Sequence, residues 1–507
     1  MTLRRDVLAE AAAARGEALA LLLPYFAHLG AHYAQYTFAR LNGIAARLAA
    51  RLLAAGVRRG DHVGVLTDNA GRAIEIMHAL WRAGAVVVPL NTRWTADELR
   101  YALETAECRL LLCDSAHEGR AFAAAGDVPV RTLTPGARAS AEALPDLDHF
   151  SGAADDLIDG LIDDEAVAAV LFTSGTTGKP KGAQLTHGGL IAGARASAAR
   201  IGALPGDRWL LSLPLYHVGG LAMLYRSCLD GSALVLMPPE RDSDAIARAI
   251  TSQRITLVSL VPTQLYRLLE MGFRAPPTLR VMLIGGAAAD DRLIARALDE
   301  GLPIALTYGM TEAGSQIATM TPAGTAGKPG SVGKPLEGLR LRVVDGAGAV
   351  CPPCEVGTIQ VAGAVLMRGY LGQPSVVDWF DTGDLGYLDV DGDLWVVQRR
   401  TDLIVSGGEN VYPSEVEAVL RAYPDVLEVC VVGLPDAEWG QRVGALIVPR
   451  HDALLDLDAL AVYARARLAG YKQPRVVQVV EALPLTASGK IDRRAAAALL
   501  AESVRQT

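Results

Sequence analysis

From residue 36 to residue 114 the apolar positions switch between two spacings. Residues 36–58 (YTFARLNGIAARLAARLLAAGVR) carry apolar side chains at helical intervals with arginines between them, and Gly56 closes the run as a C-cap residue. The short run in DHVGVLTDN reads as a buried strand entering a polar turn. Residues 73–83 read as a helix, 85–90 (AVVVPL) as a strand, and 96–105 as a helix ahead of the strand LLLCD. The alternation resumes with a helix over 188–200, a strand over 209–215, a helix over 219–229, a strand over 233–237, a helix over 243–253 and a strand over 257–261. A strand at 279–286 (LRVMLIGG), one more helix and the run IALTYGMTEAG (304–314) follow. This order predicts an α/β fold of mainly parallel sheets covered by helices. From about residue 339 the texture changes to short strands and glycine turns, which marks a small β-rich subdomain reaching to about 398. The last hundred residues mix strands and helices as a small α+β domain would. The expected division is a large domain over 1–398, a hinge at 399–401 and a small mobile domain over 402–507.

Composition narrows the function classes. The chain has 507 residues, 51% hydrophobic and 21% charged, which is globular and too long for one ordinary core. A net charge of −8 argues against nucleic acid as the main partner. The six cysteines are scattered, as suits a reducing compartment, and the pair in Cys351-Pro-Pro-Cys354 reads as a turn because no second pair accompanies it. The first residues interrupt their apolar run with Asp6, Glu10 and Glu17, so they form neither a secretory signal nor a membrane span. A soluble cytoplasmic protein without a transmembrane segment is expected, with a homodimer as the candidate assembly.

Candidate chemistry centres on residues 171–187, LFTSGTTGKPKGAQLTH. Gly175, Gly178 and Gly182 let backbone N–H groups approach an anion, Thr173, Ser174, Thr176 and Thr177 add hydroxyls, and Lys179 and Lys181 add charge. The spacing is not that of a Walker A loop, because two threonines separate the glycines and Pro180 follows Lys179. A polyphosphate cradle at the end of a buried strand fits it. Ligands in open α/β sheets bind beyond the carboxyl ends of strands, where Gly285, Gly286, Ala287 and the run Thr307, Tyr308, Gly309, Met310, Thr311 and Glu312 also fall. Tyr308 can lay its ring on a purine, Thr311 can donate to a phosphate, and Glu312 suits Mg²⁺. Asp384, in a glycine turn, offers two acceptors to a ribose, and Arg399 can add donors.

These segments resemble the signatures of the adenylate-forming superfamily, which includes acyl-CoA synthetases, peptide synthetase adenylation domains and luciferases. The likeness runs from about residue 36 to 494, with the motifs in family order. It implies ATP, Mg²⁺ and coenzyme A as ligands, with Thr176 and Glu312 at the metal and Asp384 and Arg399 at the ribose. It also implies that Lys490, in PLTASGKI, reaches across a domain interface to the α-phosphate, joining Thr173, Ser174 and Glu312 in stabilising charge. Residues 406–413 (SGGENVYP) match the loop that swings in for thioester formation, where Gly407 and Gly408 would let a pantetheine arm pass close to backbone. At the hinge this chain has Thr401 where the family usually has Asp or Lys, a departure that bears on hinge energetics.

The implied reaction has two steps: a carboxylate attacks the α-phosphorus of ATP to give an acyl-adenylate, then a thiol takes the acyl group and AMP departs. The family's acid pocket falls around His217, Arg226, Gly286, Gly309 and Gln316. His217 either gates that pocket or is an ordinary packed histidine. Arg226 either points inward to pair with a second carboxylate or keto group, or outward as a solvated charge. LPLYHVGGLAMLYRSCLDG, VSLVPTQLYRLL, TYGMTEAGSQIATM and GKPGSVGKPL are similar to the o-succinylbenzoate:CoA ligases of menaquinone biosynthesis, which implies a small aromatic keto diacid as substrate. A CoA ligase for a medium-chain, malonyl-type or aryl acid, a free-standing adenylation enzyme that loads a carrier protein, and a non-catalytic nucleotide-binding relative stand as alternatives.

Overall fold

The structure, a computed structural model, describes residues 3–27, 30–68, 71–133, 160–173, 180–204, 206–237, 242–287, 289, 291–398, 403–450, 455–485 and 491–506. Two large sheets carry the first part of the chain. In the first, strands run in the order Lys181–Thr186, Val167–Thr173, Val86–Pro89, His62–Leu66, Leu110–Asp114 and Val130–Leu133, parallel throughout except for the antiparallel pair at the Lys181–Thr186 edge. In the second, the order is Ser315–Thr319, Ile304–Met310, Val281–Ile284, Leu257–Leu260, Arg208–Leu211, Ala233–Leu236, Leu19–Ala27 and Gly30–Thr37. Its interior is parallel and both edges turn back antiparallel.

Strand residues alternate between two cores because successive side chains point to opposite faces. Leu112 joins the central core with Trp81 and Leu48, while Leu111 and Cys113 face outward to Leu99 and Leu103. The central core draws on both sheets and on the helices Phe38–Ala54, Gly71–Arg82, His187–Ile201 and Val218–Asp230. Helix Gly71–Arg82 is buried on nearly every side, so its polar residues must be paired. Glu75 meets Arg72 at 2.9 Å, and Arg82 meets Asp6 at 2.8 Å.

The 96–105 reading coincides with the observed helix, because Thr95 and Glu98 form a reciprocal capping box at its start. Residues 36 and 37 differ from expectation: they end a strand, and the helix starts at Phe38 with Thr37 as its cap. The apolar run at residues 19–23 is part of the strand Leu19–Ala27, which pairs parallel to Ala233–Leu236. Short apolar runs do not distinguish strand from helix by periodicity, which is why this hairpin was not legible. The expected strand 209–215 stops at Leu211, and Pro214, which lacks an N–H, lies in the turn that leads to helix Val218–Asp230.

The change of texture near residue 339 is a four-stranded antiparallel sheet of Leu339–Val344, Gly357–Gly363, Phe380–Leu388 and Leu394–Gln398. Cys351 and Cys354 are free, in the turn region between its first two strands. The small C-terminal domain is a sheet ordered Glu409–Val411, Ile404–Ser406, Gly440–Pro449 and Val426–Asp436, with Val476–Val479 added parallel to Gly440–Pro449. Helices Pro413–Arg421 and Leu457–Arg465 pack into the core on one face, and Arg493–Gln506 into the core on the other. No helix among the described residues is long and apolar enough to cross a membrane.

Candidate active site

Thr173 ends its strand, and Lys181 begins the antiparallel partner. Ser174, Gly175, Thr176, Thr177, Gly178 and Lys179 themselves lie outside the described residues, as do Arg399, Thr401 and Lys490. The expected residues Thr173, His217, Arg226, Gly285, Gly286, Thr307, Gly309, Met310, Thr311, Glu312, Gln316, Asp384 and Gly408 line one cavity of about 220 Å³. Ala287 follows in the turn after Gly286. Gly309 is required by packing, since a Cβ there would sit 1.9 Å from the Ser315 carbonyl oxygen.

Glu312 lies in the single turn Thr311–Ala313 and is 7% exposed. Its Oε1 accepts from the Tyr370 hydroxyl at 2.6 Å and from Thr173 Oγ1 at 3.4 Å, and no described cation pairs with it. A buried carboxylate bonded only to hydroxyls retains a need for positive charge. Asp384 accepts from the Tyr308 hydroxyl at 2.7 Å, and its own N–H donates to Thr382 Oγ1 at 3.1 Å. Tyr308 is itself 2% exposed. Its side chain is buried with Ile317, Leu336 and Ala196, and its hydroxyl orients Asp384. Thr307 bonds Thr319 Oγ1 at 2.8 Å and the Ala318 carbonyl at 3.1 Å, so it braces the strand pair beneath the cavity.

Arg226 points inward. It is 4% exposed, its Nη2 donates to Ser315 Oγ at 3.2 Å, and its guanidinium lies 5.9 Å from the centre of the Trp209 ring. Its Nε is buried without a hydrogen-bond partner, and so is Oε1 of Gln316 on the same cavity wall. Burial pushes the guanidinium down to about 10, so it keeps its charge at neutral pH. The cavity wall thus carries a fixed cation.

The C-terminal domain closes one side. Gly408, at φ +83°, packs where a Cβ would come within 2.8 Å of Val261, and Gly407, at φ +60°, abuts Trp439. Glu409 is buried between His217 at 3.2 Å and Arg93 at 3.1 Å. Burial alone would raise the Glu409 carboxyl, but His217, Arg93 and Lys472 together hold it below its ordinary value. His217 is accordingly neither packed in the core nor turned only to the acid cavity: it joins the two domains. Lys472, 2% exposed, bonds Glu98 of the large domain at 2.8 Å and Glu415 of its own at 2.6 Å, and Trp94 Nε1 donates to the Tyr471 hydroxyl at 3.3 Å. A narrow cavity of about 80 Å³ bounded by Thr173, Thr311, His217, Gly408 and Tyr471 adjoins a wider one of about 630 Å³ beside Arg93, Tyr216 and Gly407.

Sequence reasoning missed Tyr370, Glu98 and Lys472 as site residues. A hydroxyl in RGYLG or a lysine in GYKQP has no local pattern that distinguishes it from a surface group. Two other acidic clusters do not present an open cation site. Lys328 Nζ already stands 2.6 to 2.8 Å from Asp389, Asp391 and Asp393. Beside Asp68 and Asp114, His117 takes the Arg120 guanidinium on Nδ1 at 3.1 Å, which leaves the proton on Nε2.

Residues 8–371 match the AMP-binding enzyme family and residues 415–490 match the AMP-binding enzyme C-terminal domain. The chain is 41% identical to a 2-succinylbenzoate–CoA ligase of Geobacillus kaustophilus, over 90% of this chain and 92% of that protein. It is similar in structure to a doubly substituted o-succinylbenzoate CoA synthetase from Bacillus subtilis bound to a product analogue, OSB-NCoA, with a TM-score of 0.88 at 35% identity, covering 97% of this chain and 98% of the other. The Bacillus subtilis synthetase in complex with ATP and magnesium matches at a TM-score of 0.69, with 34% identity, 97% of this chain and 99% of the other. The family match over most of the length, together with a cavity that gathers the expected nucleotide and acid residues, places this chain in the AMP-binding enzyme family.

Proposed function

We propose that this protein joins 2-succinylbenzoate to coenzyme A, with ATP converted to AMP and pyrophosphate. The observation that carries the choice of acid is Arg226, a charged guanidinium buried on the wall of the acid cavity, together with the likeness to 2-succinylbenzoate–CoA ligases. A diacid can present one carboxylate to the reaction centre and the other to this guanidinium.

In the first step a substrate carboxylate oxygen bonds to the α-phosphorus of ATP and the bond to pyrophosphate breaks. Thr173 and the 174–179 loop would donate to phosphate oxygens, and Lys490 would stabilise the charge that develops at the α-phosphate. Asp384, oriented by Tyr308, and Arg399 would hold the ribose. Glu312, buried and without a cationic partner among the described residues, fits Mg²⁺, with Thr176 as the second protein ligand. The ion supplies charge neutralisation for the phosphates when bound. In the second step the CoA sulfur bonds to the acyl carbon, the acyl–phosphate bond breaks, and AMP leaves with the electron pair. The docked loop with Gly407, Gly408 and Glu409 would line the thiol's approach.

The domains would divide at 398 and 402, with 399–401 as the hinge, and the small domain would take a second orientation for adenylation. The higher likeness to the product-analogue complex than to the ATP complex supports the arrangement described here as the one for thioester formation. We place the enzyme in the cytoplasm, with a homodimer as its candidate assembly.

The test is pyrophosphate release with Mg·ATP over a panel of acids, with and without CoA, followed by mass analysis. 2-Succinylbenzoate should give AMP and its CoA thioester, while Lys490→Ala should lose adenylation and keep thioester formation from pre-made acyl-adenylate. Preference for another acid would overturn the substrate assignment, and acyl-adenylate left unconsumed with CoA would overturn the thioester step.

A further inference from the structure

We propose that Tyr370 is a positioning residue for the metal-holding carboxylate, its hydroxyl occupying one oxygen of Glu312 so that the other is presented to Mg·ATP. The inference rests on the nucleotide reading above. Residues 368–371 run antiparallel beside the strand Lys181–Thr186. Arg368 N–H donates to the Gln184 carbonyl at 2.8 Å, Gln184 N–H to the Gly369 carbonyl at 3.0 Å and Leu371 N–H to the Gly182 carbonyl at 2.8 Å, with Tyr370 bridged to Ala183. Gly182 lets this segment lie close, since a Cβ there would come within 2.7 Å of Leu371. The backbone on both sides of Tyr370 is therefore pinned to the strand that leaves the phosphate loop.

From that anchor the Tyr370 hydroxyl reaches Glu312 Oε1 at 2.6 Å, where Thr173 also donates at 3.4 Å, while no described residue donates to Oε2. Lys181 Nζ lies 5.4 Å from the centre of the Tyr370 ring and holds its face. Two donors on one oxygen fix the plane of a carboxylate that would otherwise rotate freely about its last bond. Tyr370 does not line the cavity, so it acts through Glu312.

Tyr370→Phe removes the hydroxyl and keeps the ring. Calorimetry of ATP binding to the full chain, in Mg²⁺ and in EDTA, should find affinity about tenfold to hundredfold weaker in Mg²⁺ and unchanged in EDTA. KM for Mg·ATP in adenylation should rise by a similar factor, with thioester formation from pre-made acyl-adenylate unaffected. In a Glu312→Gln background the same change should add little, because the carboxylate it positions is gone. Equal weakening with and without Mg²⁺, or additive effects in the double variant, would overturn the proposal. If the unsubstituted protein binds ATP no better with Mg²⁺ than in EDTA, the nucleotide reading fails first and this inference with it.

Discussion

Arg226→Met should remove the preference for a diacid and leave the fold standing. In the free protein the guanidinium is already buried at 4% exposure, so much of its desolvation is borne on folding rather than on substrate binding. A carboxylate that takes two of its N–H groups gains charge-assisted bonds worth about 1.5–3 kcal/mol each. Allowing for incomplete additivity, the loss is about 2–4 kcal/mol, or roughly 30-fold to 1,000-fold in kcat/KM for the diacid. Methionine preserves the apolar packing against Trp209. It sacrifices the bond to Ser315, worth about 1 kcal/mol, and relieves a buried Nε without a partner, whose cost is about 1–3 kcal/mol, so Tm should hold or rise. The assay compares kcat/KM for 2-succinylbenzoate with that for each analogue lacking one carboxylate, in both proteins. Equal losses for diacid and monoacids would refute the pairing, and a collapse in Tm would assign Arg226 to structure.

Three further outcomes follow from the geometry. Glu98→Gln weakens the buried contact of Lys472 across the domains while keeping an acceptor for the Thr95 cap; thioester formation from pre-made acyl-adenylate should slow about tenfold or more in single turnover with adenylation unchanged, and equal slowing of both would reject Lys472 as an interdomain tie. Burial lowers His78 to about 4, so the folded state resists its protonation: its stabilising contribution is complete above about pH 6.5 and is lost as pH falls toward 4, about 2 kcal/mol by pH 5. His78→Leu should flatten the fall of the urea midpoint over that window, and an unchanged slope would count against it. Gly309→Ala meets the Ser315 carbonyl, which is backbone and has little room to move, so a destabilisation of about 1–3 kcal/mol and loss of adenylation are expected; wild-type kinetics would mean the strand pair yields more easily than its bulge suggests.

The segments expected to carry chemistry could be named from sequence because each announces itself locally. Glycines next to hydroxyls and lysines in 171–187, or TYGMTEAG at the end of an apolar run, require no knowledge of what lies across the fold. Helix 96–105 was legible for the same reason, since its capping box is written in four consecutive residues. The run Leu19–Leu23 was not, because five apolar residues satisfy either period until a partner strand is chosen, and that partner is more than two hundred residues away. Sequence left Arg226 balanced between cavity and solvent; the packing of helix Val218–Asp230 against both Trp209 and Ser315 turned it inward. It named Tyr308 for a purine, but not the bond by which its hydroxyl, from a ring buried among Ile317 and Leu336, holds Asp384. His217, Glu409, Glu98 and Lys472 meet only because two domains dock. Local pattern therefore determined the family and which loops are candidates for phosphate chemistry, while long-range packing decided which charges are buried and paired, because burial depends on what the rest of the chain places on top of a residue.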